Sequence, residues 1–233
     1  MKNLSVLYCG ILLLIVAPWC GLILGSNVQL GGLQPAATAD GDPAYPKVAP
    51  GVAEQGRQVY IAEGCIYCHT QQTRPESGEI LLSRKITGKD GKSVVEPVFI
   101  KPDIARGWAK RGTVARDYVF QTHPLLGFLR NGPDLADVGS RGISTDPSWL
   151  MLHLYNPQIE RSGSMMPPFR FLFSVQKKGD QPSPNALKGL PDSELARLPA
   201  GTEVVPTARA EALVAYLRSL KLDYELPEAA FAP

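Results

Sequence analysis

Residues 65 to 69 read Cys65-Ile66-Tyr67-Cys68-His69. Two thiols separated by two residues, followed directly by an imidazole, form the attachment pattern of a covalent heme c. Each thiol adds across one vinyl group of a single porphyrin, and His69 then stands beneath the iron as an axial ligand. No other feature restricts the chain so tightly. A fold carrying this run has to accommodate one large ring, and the iron makes the chain a redox protein unless something blocks electron exchange.

Two rival readings of the run have less behind them. A thioredoxin-like Cys-x-x-Cys pair wants a strand before it and a helix after it. Here a helical pattern precedes the run, and a polar loop, Thr70 to Pro75, follows it. A structural zinc site wants further Cys or His at close spacing. The other cysteines, Cys9 and Cys20, lie in an apolar N-terminal stretch. With Cys65 and Cys68 consumed by thioether bonds, no disulfide is expected beyond that stretch.

Leu4 to Leu24 is nearly all apolar and carries no charge. About 20 such residues span a bilayer as a helix. A cleaved signal peptide has a shorter apolar core and a small-x-small cleavage site. Gly21-Leu22-Ile23-Leu24-Gly25 is a poor match to that site, and Ala17-Pro18-Trp19 does not make Cys20 a lipoprotein cysteine. The expectation is a retained anchor. Lys2 orients it with the N-terminus inside. The heme domain then lies on the periplasmic side of a bacterial inner membrane, where c-type heme is attached. At about 100° per residue, Gly10, Ala17, Gly21 and Gly25 share a face, a small-residue stripe along which membrane helices approach closely. The plainer reading is that glycine is common in membrane helices.

The chain has 233 residues, a net charge of +2 and 44% hydrophobic residues. This suits one compact domain with appendages and gives no footprint for nucleic acid. The expected organisation is an anchor over 1–25, an extended Gly/Pro/Ala/Gln-rich linker over 26–50, a heme domain over 51–222 and a tail over 223–233. Helical spacing marks Val52 to Gly64, Pro147 to Tyr155, and a last helix capped by Thr207 that carries Leu213, Val214, Tyr216 and Leu217. Gly56 leaves room for another helix. Insertions are expected at about 76–116 and 174–205, the second read as a polar Pro/Gly-rich loop. In the first, Lys89-Asp90-Gly91-Lys92 signals a turn between two strands, hence a hairpin. That stretch holds nine Lys or Arg against five acids. It is either a docking face for an acidic redox partner or a solvated charged insertion.

An electron carrier gains from a second axial ligand, and a thioether raises the potential by favouring ferrous iron. The candidates are Met151, Met165, Met166, His123 and His153. Met151 and His153 fall in a predicted helix, where packing or hydrogen bonding is the expected role. His123 precedes a proline on a loop. Met165 and Met166 precede Pro167-Pro168, which stiffens the backbone. Met166 is the choice and Met165 the alternative.

The order Cys-x-x-Cys-His, Gly132-Pro133-Asp134-Leu135, Met166-Pro167 and the helix Ala212 to Leu217 resembles a class I cytochrome c. A narrower resemblance rests on Glu63-Gly64-Cys65, Cys68-His69-Thr70-Gln71, Arg74-Pro75 and Arg130 to Leu135. It continues through Val138-Gly139-Ser140-Arg141, Trp149, His153-Leu154-Tyr155-Asn156-Pro157 and Ser164 to Phe169. Together these look like the membrane-anchored monoheme subunit, the second subunit, of cbb3-type cytochrome c oxidases. Glu76 stands where that pattern carries an aromatic, and 77–116 and 174–205 depart from it.

The resemblance implies a mainly α class I cytochrome c fold with loop insertions behind one N-terminal transmembrane helix. It implies one covalent heme c held by Cys65, Cys68 and His69, with Met166 as the second ligand and the Pro133 carbonyl accepting the His69 Nδ1–H. It implies Arg74, Arg130 and Arg141 as partners of the heme propionates, with salt bridges to surrounding loops as the alternative. In function it implies relay of electrons from a c-type cytochrome donor to the large heme b and heme–copper subunit, among other membrane subunits. Oxygen is reduced in that large subunit, so this chain is not itself the oxygen-reducing one. Alternatives are the cytochrome c subunit of a nitric oxide reductase, a free membrane-tethered shuttle, and a ligand-binding heme sensor or peroxidase.

Overall fold

The computed structural model describes residues 3–39, 41–74, 80–87, 93–99 and 103–231. Lys2, Pro75, Glu76 and the Lys89-to-Lys92 turn lie outside the described residues. The chain folds as two compact units, Met1–Lys47 with Val114–Pro124, and Val48–Thr113 with Leu125–Pro233.

In the first unit one helix runs through Leu4–Leu30, long and apolar enough to cross a membrane. Leu4–Pro18 is α-helical, Trp19–Leu24 takes the wider π turn and Gly25–Leu30 returns to α. Pro18 lacks an N–H, and the Gly25 N–H reaches back to the Cys20 carbonyl, five residues away. The constant step on which the Gly10, Ala17, Gly21, Gly25 stripe depends therefore does not hold through these residues. The helix also runs past the expected end at residue 25. Ser26 Oγ donates to the Leu22 carbonyl at 2.6 Å, and Gly31 N–H closes the last turn on Asn27 at 2.8 Å. Arg116 donates to the Gln34 carbonyl within this unit.

The second unit is mainly helical, with two small antiparallel sheets. The helix Gly51–Ala62 packs on the final helix Ala208–Ser219, which Thr207 caps by accepting the Ala210 N–H. A Cβ added at Gly56 would stand 1.8 Å from the Ala212 carbonyl oxygen and 2.7 Å from Tyr216 Cβ. Glycine thus sets the helix separation. Beside it Tyr60 and Tyr216 meet edge-on, with centroids 5.5 Å apart. The helix Pro147–Tyr155, begun by Asp146 as cap and Pro147 in the first turn, adds Leu150 and Leu154 to the same core.

Strands β1 (Ile80–Thr87) and β2 (Ser93–Phe99) pair antiparallel, Ile86 opposite Val94 and Arg84 opposite Glu96, as the hairpin expectation required. The 174–205 stretch is not a bare loop. Strands β3 (Phe173–Lys177) and β4 (Thr202–Pro206) pair, and a short helix, Asp192–Leu195, lies between them. Val204 is buried, and Leu187, Leu190 and Leu198 pack against the core. The tail is folded too, since Leu226 is buried.

Candidate functional site

The helix Gly51–Ala62 ends at Glu63, and Gly64 turns the chain with φ 73°, a left-handed conformation that glycine adopts without a Cβ penalty. A tight turn over Cys65–Tyr67 follows. The Cys65 carbonyl accepts from Cys68 N at 3.2 Å and from His69 N at 3.0 Å. The spacing of the five-residue run thus folds into one turn that presents two unbridged thiols and an imidazole together.

His69 Nδ1 lies 2.8 Å from the Pro133 carbonyl oxygen. A carbonyl only accepts, so Nδ1 carries the proton and Nε2 keeps its lone pair. This is the arrangement in which a histidine ligand is oriented from behind. Gly132 lies against the ring: an added Cβ would be 2.2 Å from His69 Cε1. Burial pushes the imidazole below its ordinary pKa, partly opposed by the Pro133 bond, so the metal-binding neutral form is favoured. Burial also pushes the Cys65 thiol up to about 12. Redox-active dithiols depend on the opposite shift.

The loop that supplies Pro133 is tied to the thiol turn by its neighbours. Gly132 N donates to the Cys68 carbonyl at 3.0 Å, and Leu135 N to the Thr70 carbonyl at 2.7 Å. Asp134, 0% exposed, accepts from Thr70 Oγ1 at 2.6 Å, Gln72 N at 2.8 Å, Thr73 Oγ1 at 3.3 Å and Ala136 N at 2.9 Å. Sequence reasoning read Asp134 as part of a motif and missed it as the hub.

The three arginines differ. Arg141 Nη2 donates to the Asp134 carbonyl at 2.8 Å, and its guanidinium is pushed below its ordinary pKa by burial. Arg74 and Arg130 both turn to buried Asp103. Arg74 Nη2 is 3.3 Å from Oδ1, and Arg130 Nη1 is 2.6 Å from Oδ2. Burial pushes the Asp103 carboxyl up, but its hydrogen bonds to Arg74 and Arg130 outweigh this and hold it below its ordinary value. Arg111, counted with the basic docking face, is instead buried at 1% exposure. Its Nε donates to the Tyr224 carbonyl at 2.9 Å.

Of the methionine candidates, Met165 is 83% exposed, whereas Met166 is half-buried against the core that also receives Cys65 and Ile66. Met151 packs there too. His123 belongs to the other unit. His153 stacks on Trp149 at 4.7 Å, and Trp149 Nε1 is fixed by Glu160 at 2.8 Å. His153 Nδ1 is buried with no hydrogen-bond partner among the described residues. Burial, with the nearby Arg161 guanidinium adding to it, pushes His153 down to about 4.

A heme c fits this residue set. Two free thiols and a histidine with its lone pair directed away from Pro133 lie on one turn, and a buried polar nitrogen on His153 has no partner among the described residues. Among the described residues no group of three or more His, Cys, Asp or Glu converges as an ion site.

The model of the family described as cytochrome C oxidase, mono-heme subunit/FixO matches residues 110–190. Over that stretch the chain is similar to these mono-heme oxidase subunits. The match holds the Pro133 loop, Arg141, Met165 and Met166, while Cys65, Cys68 and His69 lie before it. No curated protein matches the chain.

Proposed function

We propose that this chain is a membrane-anchored class I c-type cytochrome that relays electrons from a c-type donor to the heme b and heme–copper subunit of a cbb3-type oxidase. The observation that carries this reading is the His69–Pro133 bond of 2.8 Å on the turn that also bears both thiols. The oxidase context is supported by the mono-heme subunit match, and the anchor by the Leu4–Leu30 helix. In this reading residues 1–25 lie within the inner membrane, 26–50 link, and the heme domain over 51–222 faces the periplasm.

Cys65 and Cys68 would hold one heme through thioether bonds, and His69 and Met166 would bind its iron. One-electron exchange is the chemistry that heme supplies when bound. The residues do the rest. Pro133 fixes the His69 ring and its tautomer, and hydrogen bonding of that proton raises the basicity of Nε2. Gly132 keeps the ring's flank clear of side-chain atoms. Arg141 stays charged beside the histidine loop and suits a propionate. Arg74 and Arg130 both pair with Asp103, which supports loop salt bridges over propionate contact for these two.

The test is gentle detergent purification of the native complex, followed by mass spectrometry with heme and copper assays. Covalent heme c on this chain, co-purifying with a large subunit that holds b-type heme and copper, is the expected result. A b-heme partner with non-heme iron and no copper would move the chain to nitric oxide reduction. Emergence alone with one heme c would leave a tethered shuttle. No covalent heme would overturn the reading.

A further inference from the structure

The segment bearing Met165 and Met166 follows the helix Pro147–Tyr155 at Asn156 and runs to Arg170, where a short turn begins. Both ends meet one carboxylate. Glu194, buried at 5% exposure, accepts from Asn156 Nδ2 at 2.9 Å. From the other end, Arg170 Nη2 donates to its Oε1 at 2.8 Å and its Oε2 at 3.0 Å. Arg197, on the same segment as Glu194, adds a contact at 3.3 Å. The Arg170 guanidinium also lies over the Tyr155 ring, 5.4 Å from its centre, so its direction is set before it reaches Glu194. Glu194 comes from the 174–205 segment, for which the sequence offers no role. That segment is itself fixed to the core through Leu187, Leu190 and Leu198 and through the β3–β4 pairing.

We propose that Glu194 is a positioning residue for Met166, clipping the two ends of the ligand loop together so that the sulfur is delivered to the iron. This rests on Met166 as the second axial ligand. A neutral thioether is a weak ligand. Its occupancy therefore depends on how little freedom its loop has left to lose. A clip at both ends removes that freedom in advance, and cutting one end restores much of it. The role of the 174–205 insertion is then to carry the clip.

The test uses the full detergent-purified chain with its heme, read by the ferric near-infrared sulfur-to-iron band, the reduction potential and the rate of carbon monoxide binding to the ferrous form. Met166→Ala removes the band. Glu194→Ala weakens the band, lowers the potential and speeds carbon monoxide binding by about tenfold. Glu194→Gln, which keeps an acceptor for Asn156 but loses the charge opposite Arg170, falls between, and it serves as the reading if the alanine variant folds poorly. Glu203→Gln is the control. Its carboxylate accepts from Gln176 and Ser183 in the same segment, so it lowers thermal stability and leaves all three readouts at wild-type values. If Glu194→Ala and Glu194→Gln lower only the melting temperature, or if Glu203→Gln shifts the readouts equally, the clip is overturned while Met166 stands. If Met166→Ala keeps the band, the ligand assignment fails and the clip falls with it.

Discussion

The two sides of the candidate site are held in different ways. On the histidine side, Asp134 sits at the centre of the fastening. It draws Thr70, Gln72, Thr73 and Ala136 onto one buried carboxylate, directly behind the residue whose carbonyl orients His69. On the methionine side the buried carboxylate, Glu194, fastens the two ends. The first half of the loop is also held, by Trp149 Nε1 to Glu160 at 2.8 Å and Ser164 N to the Arg161 carbonyl at 3.0 Å, but the contacts nearest the sulfur are long, Met166 N to Ser164 Oγ at 3.3 Å and Gln158 Nε2 to the Ser164 carbonyl at 3.4 Å. An imidazole whose ring must face one direction needs a rigid cradle. A flexible thioether needs only that its loop be brought near and kept from straying. The contrast predicts that damage to the histidine side is read as lost stability, and damage to the methionine side as altered ligation.

The largest effect is expected at the hub. Asp134→Ala leaves two hydroxyls and two backbone N–H groups without their acceptor in a buried place, and takes a negative charge from near Arg130, 3.7 Å away. Losing a buried charged partner costs about 3–5 kcal/mol. Denaturant unfolding of the purified chain measures it. A loss below about 1 kcal/mol, the size of one ordinary hydrogen bond, would mean that the hub is no stronger than any other contact and would break the comparison.

The histidine side was the more legible in sequence because its parts are short and contiguous. Five residues fix the turn, and Gly132-Pro133-Asp134-Leu135 marks the loop behind it. The physics of Gly132 needed the structure, since only the placement of His69 against it shows why a side chain is excluded. The partners of Asp103 and Glu194 were not legible. Asp103 meets Arg74 and Arg130, and Glu194 meets Asn156 and Arg170, across separations that no local pattern encodes. The same limit applies to the fold. Pro147–Tyr155 announces itself with an Asp-Pro start, and Thr207 with a cap followed by apolar helical spacing. Strands β3 and β4 are five residues each, far apart in sequence, with β3 mostly exposed, so neither shows the alternation that marks a half-buried strand. The π turn after Pro18 lies in a run apolar on every side, where no periodicity exists to be disturbed.

Acid should separate the two sides next. His153, in the helix leading to the methionine loop, is held near 4 in the folded chain, against about 6.5 when unfolded. As pH falls below about 6.5 the unfolded chain takes up this proton and the folded chain does not. Stability therefore declines from there and levels off near pH 4, by about 3 kcal/mol in all. His153→Gln should flatten that part of the curve in unfolding experiments run from pH 7 to 4. An unchanged slope would show that carboxylates elsewhere govern the acid limb.

Gly132→Ala tests the histidine side by volume instead of charge. The new methyl would stand 2.2 Å from His69 Cε1, so either the ring or the loop has to yield. Overpacking of this kind costs about 1–3 kcal/mol. The more telling readout is the reduction potential, because moving the ring lengthens the bond from Nδ1 to Pro133. A stability loss with an unmoved potential would show that the loop shifts and the histidine does not.

The smallest effect is expected at Met165, and its smallness is the point. With 83% of its surface exposed, the side chain has almost no burial to lose, and surface substitutions of this sort stay within about 0.5 kcal/mol. Met165→Ala should leave stability, potential and the ferric sulfur-to-iron band as they are, while Met166→Ala, one residue along, changes the last two. The pair is a sharp test because both sulfurs share the same clipped loop and the same prolines. What distinguishes them is that Met166 turns toward the core that also receives Cys65 and Met165 turns to solvent. If Met165→Ala abolishes the band instead, the loop rotates by one residue when heme is present, and the methionine side is looser than its two fastened ends imply.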